Sequence, residues 1–361
     1  MSGGGTGGHI FPAIAIAQEI KKRFPDAEFL FIGANGKMEM EKVSQAGFQI
    51  IGLNIAGFDR GNLQKNFTLP LKLVSSLITA RRIIKKFQPD FAIGTGGFAS
   101  GPALYMASTL NIPTFVQEQN SLPGKTNKFL ARKAKAVFTA YPKMEDYFPK
   151  SRTFFLGNPV RKDITEKLES SAAAKRKLGL EENKLTMLSV GGSLGSRTLN
   201  NAWKEIVPKL KEKNYQLIWQ TGRLDYNLIK DDTALDHPNI LIKEFISDMA
   251  LAYSAADIIV SRAGAIAVSE IALTKKPALL VPFPFAAEDH QTKNAQTLVD
   301  NDAAKMVRDS EMLQKFWPTL IEMAENKEIR TKLSAHIGVF AKPAATSQIV
   351  DEMMKALNIT T

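Results

Sequence analysis

His9 is the residue whose type and setting best fit proton transfer. It closes the run Gly3-Gly4-Gly5-Thr6-Gly7-Gly8-His9, ahead of a helical pattern that Pro12 opens and that reaches about Phe24. At a helix N-terminus the dipole disfavours the imidazolium, which suits a proton acceptor. A lone histidine is more often structural or solvated, so its surroundings must decide. His290 is a second candidate, in the run Glu288-Asp289-His290-Gln291 with Asn294 close behind. These hydrogen-bonding groups are packed into one short loop and helix start.

Anion chemistry is expected at Ser261, Arg262, Ala263 and Gly264. An apolar β-branched run ends near Val260, this small-residue turn follows, and a helical pattern then carries Glu270 in its second turn. Such a turn lets unpaired helix N–H groups approach a ligand closely, and the positive end of the dipole favours phosphate. Glu270 lies too far along for phosphate, but a carboxylate accepts two hydrogen bonds and so suits a vicinal diol. An ordinary α/β repeat with a solvated loop has the same elements, so the segment alone does not choose.

The elements that must position these groups read as alternating strands and helices in two halves. Besides the glycines at 3–8, a loop at Gly94-Thr95-Gly96-Gly97-Phe98-Ala99-Ser100-Gly101-Pro102 follows a strand at 90–93, and Gly191-Gly192-Ser193-Leu194-Gly195-Ser196 follows one at 185–190. Glycine at this density bares the backbone for tight turns or for a ligand. Gly3, Gly5 and Gly8 also spell a dinucleotide fingerprint, which requires a preceding strand and an acidic residue at the end of the next one. The next strand, at 29–32, ends in Gly33-Ala34-Asn35, and Glu28 lies at its wrong end. Only Met1 and Ser2 precede the first glycines, so the first strand is expected to be missing, through a late start or a truncated record. No Gly-Lys-Ser/Thr follows the loop at 191–196, which excludes a P-loop.

At 361 residues the chain suits two domains, and 44% hydrophobic with 23% charged residues describes two globular cores. There is no cysteine, which fits a reducing compartment, and neither a signal-peptide pattern nor an apolar run of the ~20 residues needed to span a bilayer. The net charge of +11 favours phosphates, nucleic acid or anionic lipid without choosing among them. Residues 69–87 mix apolar positions at helical spacing with Lys and Arg. Such a helix either packs its apolar face inward or lies on an anionic bilayer. Few aromatics interleave the basic stretches, with only 6 Tyr and 3 Trp, which counts against single-strand nucleic-acid binding.

Together, GGGTGGH at 3–9, GGFASGP at 96–102, NPVR at 158–161, GGS at 191–193 and the 261–296 stretch resemble the peptidoglycan N-acetylglucosaminyltransferase family nearly end to end. That resemblance implies a GT-B architecture in the α/β class, two Rossmann-like domains with parallel sheets facing a central cleft. The expected domains are 1–157 plus 343–361, facing acceptor and membrane, and 158–342, binding the UDP-sugar. The implied reaction is inverting transfer of N-acetylglucosamine from UDP to the muramoyl 4-hydroxyl of lipid I, giving lipid II. A related GT-B transferase or epimerase for another UDP-sugar is the near alternative, and a basic nucleic-acid or membrane binder the distant one.

By resemblance, His9 is the base. Donor contacts are implied at Thr6, Gly7, Gly8, Asn120, Arg161, Ser193, Ile246, Arg262, Ala265, Glu270, His290 and Gln291, and acceptor-diphosphate contacts at Gly5, Gly7, Gly96, Gly97 and Ser100. His290-Gln291 stands where the family often has Gln-Gln, which keeps His290 open as an alternative base. Neither metal nor cofactor is expected. Expected partners are UDP-N-acetylglucosamine, lipid I and an anionic membrane surface, with contacts to other cell-wall synthesis proteins allowed and nucleic acid not expected. The expected location is peripheral, on the cytoplasmic face of the plasma (inner) membrane.

Overall fold

The structure is a computed structural model that describes residues 1–57, 67–160, 164, 166–192 and 194–359. The chain divides into two compact units, Met1–Val160 with Lys342–Thr361 and Arg161–Ala341. The first unit runs β1 (Ser2–Gly3), α1 (Gly7–Arg23), β2 (Leu30–Ala34), α2 (Met38–Gln45), β3 (Gln49–Leu53), α3 (Leu69–Phe87), β4 (Ala92–Gly96), α4 (Ser100–Thr109), β5 (Thr114–Glu118), α5 (Lys125–Ala131), β6 (Ala136–Thr139) and β7 (Thr153–Phe155). Its strands pair in parallel in the order β3-β2-β1-β4-β5-β6-β7.

The chain direction reverses across the sheet at the β1/β4 pair, and a doubly wound sheet opens a crevice at the carboxyl ends of such strands. Both glycine loops of this unit leave from there, Gly4–Gly8 after β1 and Gly97–Ala99 after β4. The expectation of a missing first strand is corrected. The strand is present but only two residues long, with Ser2 in register with both Ile32 and Gly94 and Gly3 with Gly96. Met1 extends the ladder through its carbonyl, which accepts from Ile32 N at 2.9 Å. Two residues carry no alternation to read, which is why sequence periodicity could not find this strand. Beneath it lies a cavity of about 470 Å³ whose lining includes Met1, Leu30, Phe87, Phe91 and Leu104.

α1 starts at Gly7, five residues before Pro12, because the extended Thr6 already accepts from the N–H groups of His9 and Ile10. Pro12 therefore sits inside the helix, where its missing N–H forgoes the bond to the Gly8 carbonyl. The inward stripe of α1 divides between two clusters. Ile16 and Ile20 meet Ile93, Phe115 and Phe138, whereas Ile10, Ala13, Ile14 and Ala17 meet Phe31, Val43 and Phe48.

The second unit runs α6 (Ser171–Lys177), β8 (Thr186–Val190), α7 (Arg197–Glu212), β9 (Gln216–Gln220), α8 (Tyr226–Lys230), β10 (Ile240–Lys243), α9 (Met249–Ala255), β11 (Ile258–Ser261), α10 (Ala265–Thr274), β12 (Ala278–Leu280), α11 (His290–Val299), β13 (Lys305–Met306), α12 (Met312–Glu325) and α13 (Lys327–Ile337). Its parallel sheet has the order β10-β9-β8-β11-β12-β13, so its reversal lies at β8/β11. The loop opened by Gly191 and the turn at 262–264 both leave from there. The core is built around Trp203 and Trp219, whose indole N–H groups donate to Ser189 Oγ at 2.7 Å and Asn200 Oδ1 at 3.0 Å. The last helix, α14 (Ala345–Leu357), belongs to the first unit, where Ile349, Val350 and Met353 complete the cluster around Phe115.

Bare backbone meets bare backbone in each unit. A Cβ on Gly97 would lie 2.2 Å from the Gly4 carbonyl oxygen, and one on Gly222 would lie 2.1 Å from Gly195 N. Gly222→Ala adds that clash to a left-handed backbone at φ +77, so it should lower unfolding free energy by roughly 3 kcal/mol or more. Gly179→Ala is the matched control, with φ +72 and open space around the new Cβ, and should cost only about 1–2 kcal/mol. Urea unfolding of the two variants checks the difference; equal losses would mean that the loop contact is not what requires glycine at 222.

Candidate functional site

In the first unit His9 is the third residue of α1 and is held from three directions. Its main-chain oxygen accepts from Thr95 Oγ1 at 2.6 Å, and its Nδ1 lies 2.8 Å from Gln119 Oε1. Its ring lies against Gly96, where a Cβ would come within 2.8 Å of Nδ1; Gly96 also has φ +106. The two glycine loops are sewn together behind it, through Gly4 N to Gly96 O at 3.2 Å. Ser100 Oγ adds contacts to Ser2 O at 2.9 Å and Gly96 O at 2.8 Å. The Ser100 hydroxyl thus turns inward to main-chain carbonyls. Thr6, Gly7 and Gly8 lie on the same loop and first turn as His9, with Gly5 at φ +86.

Glu39, which the sequence reading did not single out, supports that loop from below. It is buried, and its carboxylate accepts from Gly5 N at 2.9 Å and Ala34 N at 3.0 Å. An acid in the first turn of a helix is an ordinary helix-start signal, so nothing local marks its reach to Gly5.

Asn120 lies in a second buried polar group, organised by Glu118. One oxygen of Glu118 accepts from Asn120 N at 3.0 Å and Asn120 Nδ2 at 3.2 Å, the other from Gly124 N at 3.2 Å and Asn127 Nδ2 at 2.8 Å. Among the described residues the carboxylate is satisfied by four amide donors, which shapes the 119–127 loop around it. Asn158, from the NPVR motif, braces the same segment by donating to Gln119 O at 3.1 Å.

In the second unit the turn at 262–264 feeds α10, with Gly264 as the N-cap and Ala265 the first helical residue. Glu270 is buried and accepts from Tyr253 Oη at 3.2 Å. Tyr253 was not foreseen, since a contact between two helices has no spacing signature in the chain. Arg262 is braced on every side. It donates to Val281 O and Pro282 O at 3.1 Å each, to Ser196 Oγ at 2.6 Å, and to Asp309 at 2.5 Å. Its charge is met by the Asp309 carboxylate, and the guanidinium acts as a strut joining the loop after β8 to the turn after β11.

Ile246 N donates to Gln220 Oε1 at 2.9 Å, and Gln220 Nε2 in turn donates to Gly192 O at 3.1 Å. Gln291 Oε1 accepts from Phe283 N at 2.9 Å, and Asn294 Nδ2 reaches Ala263 O at 3.2 Å, tying α11 to the turn. His290 lies with Nε2 4.0 Å from Glu288 Oε2. It follows two consecutive left-handed residues, Glu288 at φ 52 and Asp289 at φ 57. Backbone of that kind in non-glycine residues is stored strain of the sort found at ligand sites. Arg161 and Ser193 lie outside the described residues.

Comparison with known proteins accounts for both units. The glycosyltransferase family 28 N-terminal domain matches residues 1–139 and the family 28 C-terminal domain residues 186–348. The UDP-N-acetylglucosamine--N-acetylmuramyl-(pentapeptide) pyrophosphoryl-undecaprenol N-acetylglucosamine transferase of Christiangramia forsetii is 48% identical over 358 residues, covering 99% of this chain and 97% of that protein. Its namesake from Bacteroides thetaiotaomicron is also 48% identical, covering 98% of this chain and 96% of that one. A crystal structure of Acinetobacter baumannii MurG aligns with a TM-score of 0.80 at 32% identity over 98% of each chain. The Neisseria meningitidis UDP-GlcNAc 2-epimerase bound to UDP-GlcNAc aligns at 0.68 with 16% identity over 98% of this chain and 99% of its own, a likeness of fold alone.

Replacing Glu118 with Ala strands four buried or half-buried donors at once. Glu118→Ala should therefore lower unfolding free energy by roughly 3 kcal/mol, and Glu118→Gln, which keeps one acceptor, by about half that. Denaturant titration of the two variants orders them; a smaller loss for Ala than for Gln would contradict the organising role of the carboxylate.

Proposed function

The chain belongs to glycosyltransferase family 28, and on that premise we propose that it catalyses the reaction its relatives' names describe. It is an N-acetylglucosaminyltransferase of peptidoglycan synthesis, taking UDP-N-acetylglucosamine as donor and lipid I as acceptor, and releasing lipid II and UDP. The observation that carries the reading is 48% identity sustained over 99% of the chain, which a shared fold alone does not produce.

The transfer is inverting. A base takes the proton of the muramoyl 4-hydroxyl, the freed oxygen pair forms the bond to the anomeric carbon, and the bond from that carbon to UDP breaks with its electrons going to the diphosphate. His9 is the base, a role supported by its seat on the first turn of α1 beside Gly96. The loops around Gly5, Gly7, Gly96 and Gly97 hold the acceptor diphosphate through main-chain N–H groups other than that of Gly5, which donates to Glu39 and so fixes the loop. Glu270 accepts from the ribose hydroxyls, which fits a buried carboxylate already oriented by Tyr253. The helix start at Ala265 takes the leaving diphosphate. Arg262 supports this indirectly, since its guanidinium is committed to Asp309 and neighbouring carbonyls and fixes the turn. Asn120, His290 and Gln291 hold the N-acetylglucosamine.

The enzyme works peripherally on the cytoplasmic face of the plasma membrane. No helix among the described residues is long and apolar enough to cross a bilayer. Support comes from α3, which buries only Ser76, Ala80 and Ile84 and leaves Leu71, Val74 and Ile78 exposed by 74%, 55% and 48%. Arg81, Arg82, Lys85 and Lys86 follow on the same helix and are exposed. Apolar side chains beside cations match the acyl and headgroup layers of an anionic surface.

Two measurements test these assignments. Calorimetry should give binding selective for UDP-N-acetylglucosamine over other UDP-sugars, weakened roughly 10- to 100-fold by Glu270→Ala; unchanged affinity in the variant would remove Glu270 from the donor site. Co-sedimentation should favour phosphatidylglycerol vesicles over phosphatidylcholine ones. Leu71→Ser, Val74→Ser and Ile78→Ser combined should weaken binding at least ~10-fold with melting temperature unchanged. Equal binding by the triple variant would exclude α3 as the contact.

A further inference from the structure

We infer that Gln119 is a positioning residue which locks the His9 imidazole as its Nδ1–H tautomer, leaving the Nε2 lone pair as the only proton acceptor on the neutral ring. The inference rests on the reading of His9 as base and adds which atom acts and what fixes it. A neutral imidazole has one donor and one acceptor nitrogen, and the partner of one nitrogen decides the role of the other.

The contact of Nδ1 with Gln119 Oε1, 2.8 Å long, would admit either tautomer if the Gln119 amide were free to turn over. It is not free. Its nitrogen lies 2.7 Å from Thr95 O and 3.0 Å from Gln117 O, and both are main-chain carbonyls that can only accept. Turning the amide over would set its oxygen against those lone pairs and remove a donor from both carbonyls, leaving Gln117 O with the longer bond from Asn127 Nδ2 at 3.3 Å.

A chain of amides imposes the same orientation independently. Asn158 Nδ2 donates to Gln119 O at 3.1 Å, which fixes Asn158 Oδ1 as an acceptor. Gln117 Nε2 donates to that oxygen at 2.9 Å, so Gln117 Oε1 is left as an acceptor facing Gln119 Nε2, whose two hydrogens serve Thr95 O and, shared, the two oxygens of Gln117. Gln119 Oε1 is then the acceptor left to face the ring, and Nδ1 must carry the hydrogen. All three amides are buried, at 0% exposure for Gln117, 1% for Gln119 and 2% for Asn158, so water does not compete for these bonds.

A neutral amide is also a suitable partner for a base. A carboxylate in its place would stabilise the imidazolium and so hold the proton, whereas an amide sets the tautomer without adding a charge. After Nε2 takes the acceptor proton, Nδ1–H still donates to Gln119 and nothing in the relay has to reorient.

The test is nitrogen NMR on the full chain labelled with ¹⁵N-histidine. Four histidines are present, and His9→Gln assigns the signal. Neutral His9 in the wild-type chain should be Nδ1–H with a bare Nε2. Gln119→Met should release the ring toward the Nε2–H form that free imidazole prefers and lower kcat roughly 10- to 100-fold, with KM for donor and acceptor unchanged. A wild-type spectrum with Nε2–H predominant overturns the inference without any variant being needed. So does a Gln119→Met enzyme that keeps both the tautomer and kcat. Full turnover by His9→Gln would instead sink the base reading, and the tautomer spectrum separates that failure from the other.

Discussion

Everything in this chain hangs on the approach of main chain to main chain at the carboxyl ends of four central strands. In a parallel sheet wound in both directions, the connections from two neighbouring strands leave to opposite faces, and the gap they open can be filled only by backbone that carries almost no side chains. Gly97 against Gly4 closes the loops around that gap in the first unit, and in the second Gly195 against Gly222 holds the loop after β8 to the loop after the adjacent β9. Helix N-termini follow directly, α1 and α4 in one unit and α7 and α10 in the other, so donors that no helix can satisfy are gathered where an anion would sit.

Behind the glycines, each loop is held by buried polar groups rather than by apolar packing. Glu39 reaches Gly5, Glu118 gathers four amide donors, and Arg262 bridges two loops with its charge met by Asp309. Such groups are costly to bury unpaired and stiff once paired, so they hold a loop to one geometry where aliphatic contacts would let it slide. The aliphatic clusters around Phe115, Phe31 and Trp203 serve instead to fix the strands and helices from which the loops spring.

The parts legible in the sequence were those whose signal is local. Glycine density marked the loops, alternation of strand and helix patterns marked two doubly wound units, and α3 begins and ends at Leu69 and Phe87, where its apolar and basic spacing had set it. Three features were not legible, each for a physical reason. β1 is too short to have a period. The α1 start was set by the carbonyl of Thr6 rather than by Pro12, because the loop, not the proline, orients the first turn. The partners Gln119, Glu39 and Tyr253 are joined to their targets across 110, 34 and 17 residues, and pattern reading ends well short of the longer two. Family resemblance supplied residue roles, but it could not say that the Arg262 charge is already matched.

The relay that ends at His9 begins at Asn158, and the residue after Asn158 is Pro159. Asparagine side chains age by cyclising onto the nitrogen of the following residue, which converts the amide to an acid, and proline offers no N–H for that ring to form. An acid at 158 could no longer donate to the Gln119 carbonyl, and the order of donors along the relay would lose its anchor. The proline that stiffens the end of the first unit therefore also gives the relay a chemical lifetime, shielding its anchor amide from the spontaneous hydrolysis that would otherwise erode the orientation of His9 over the life of the protein.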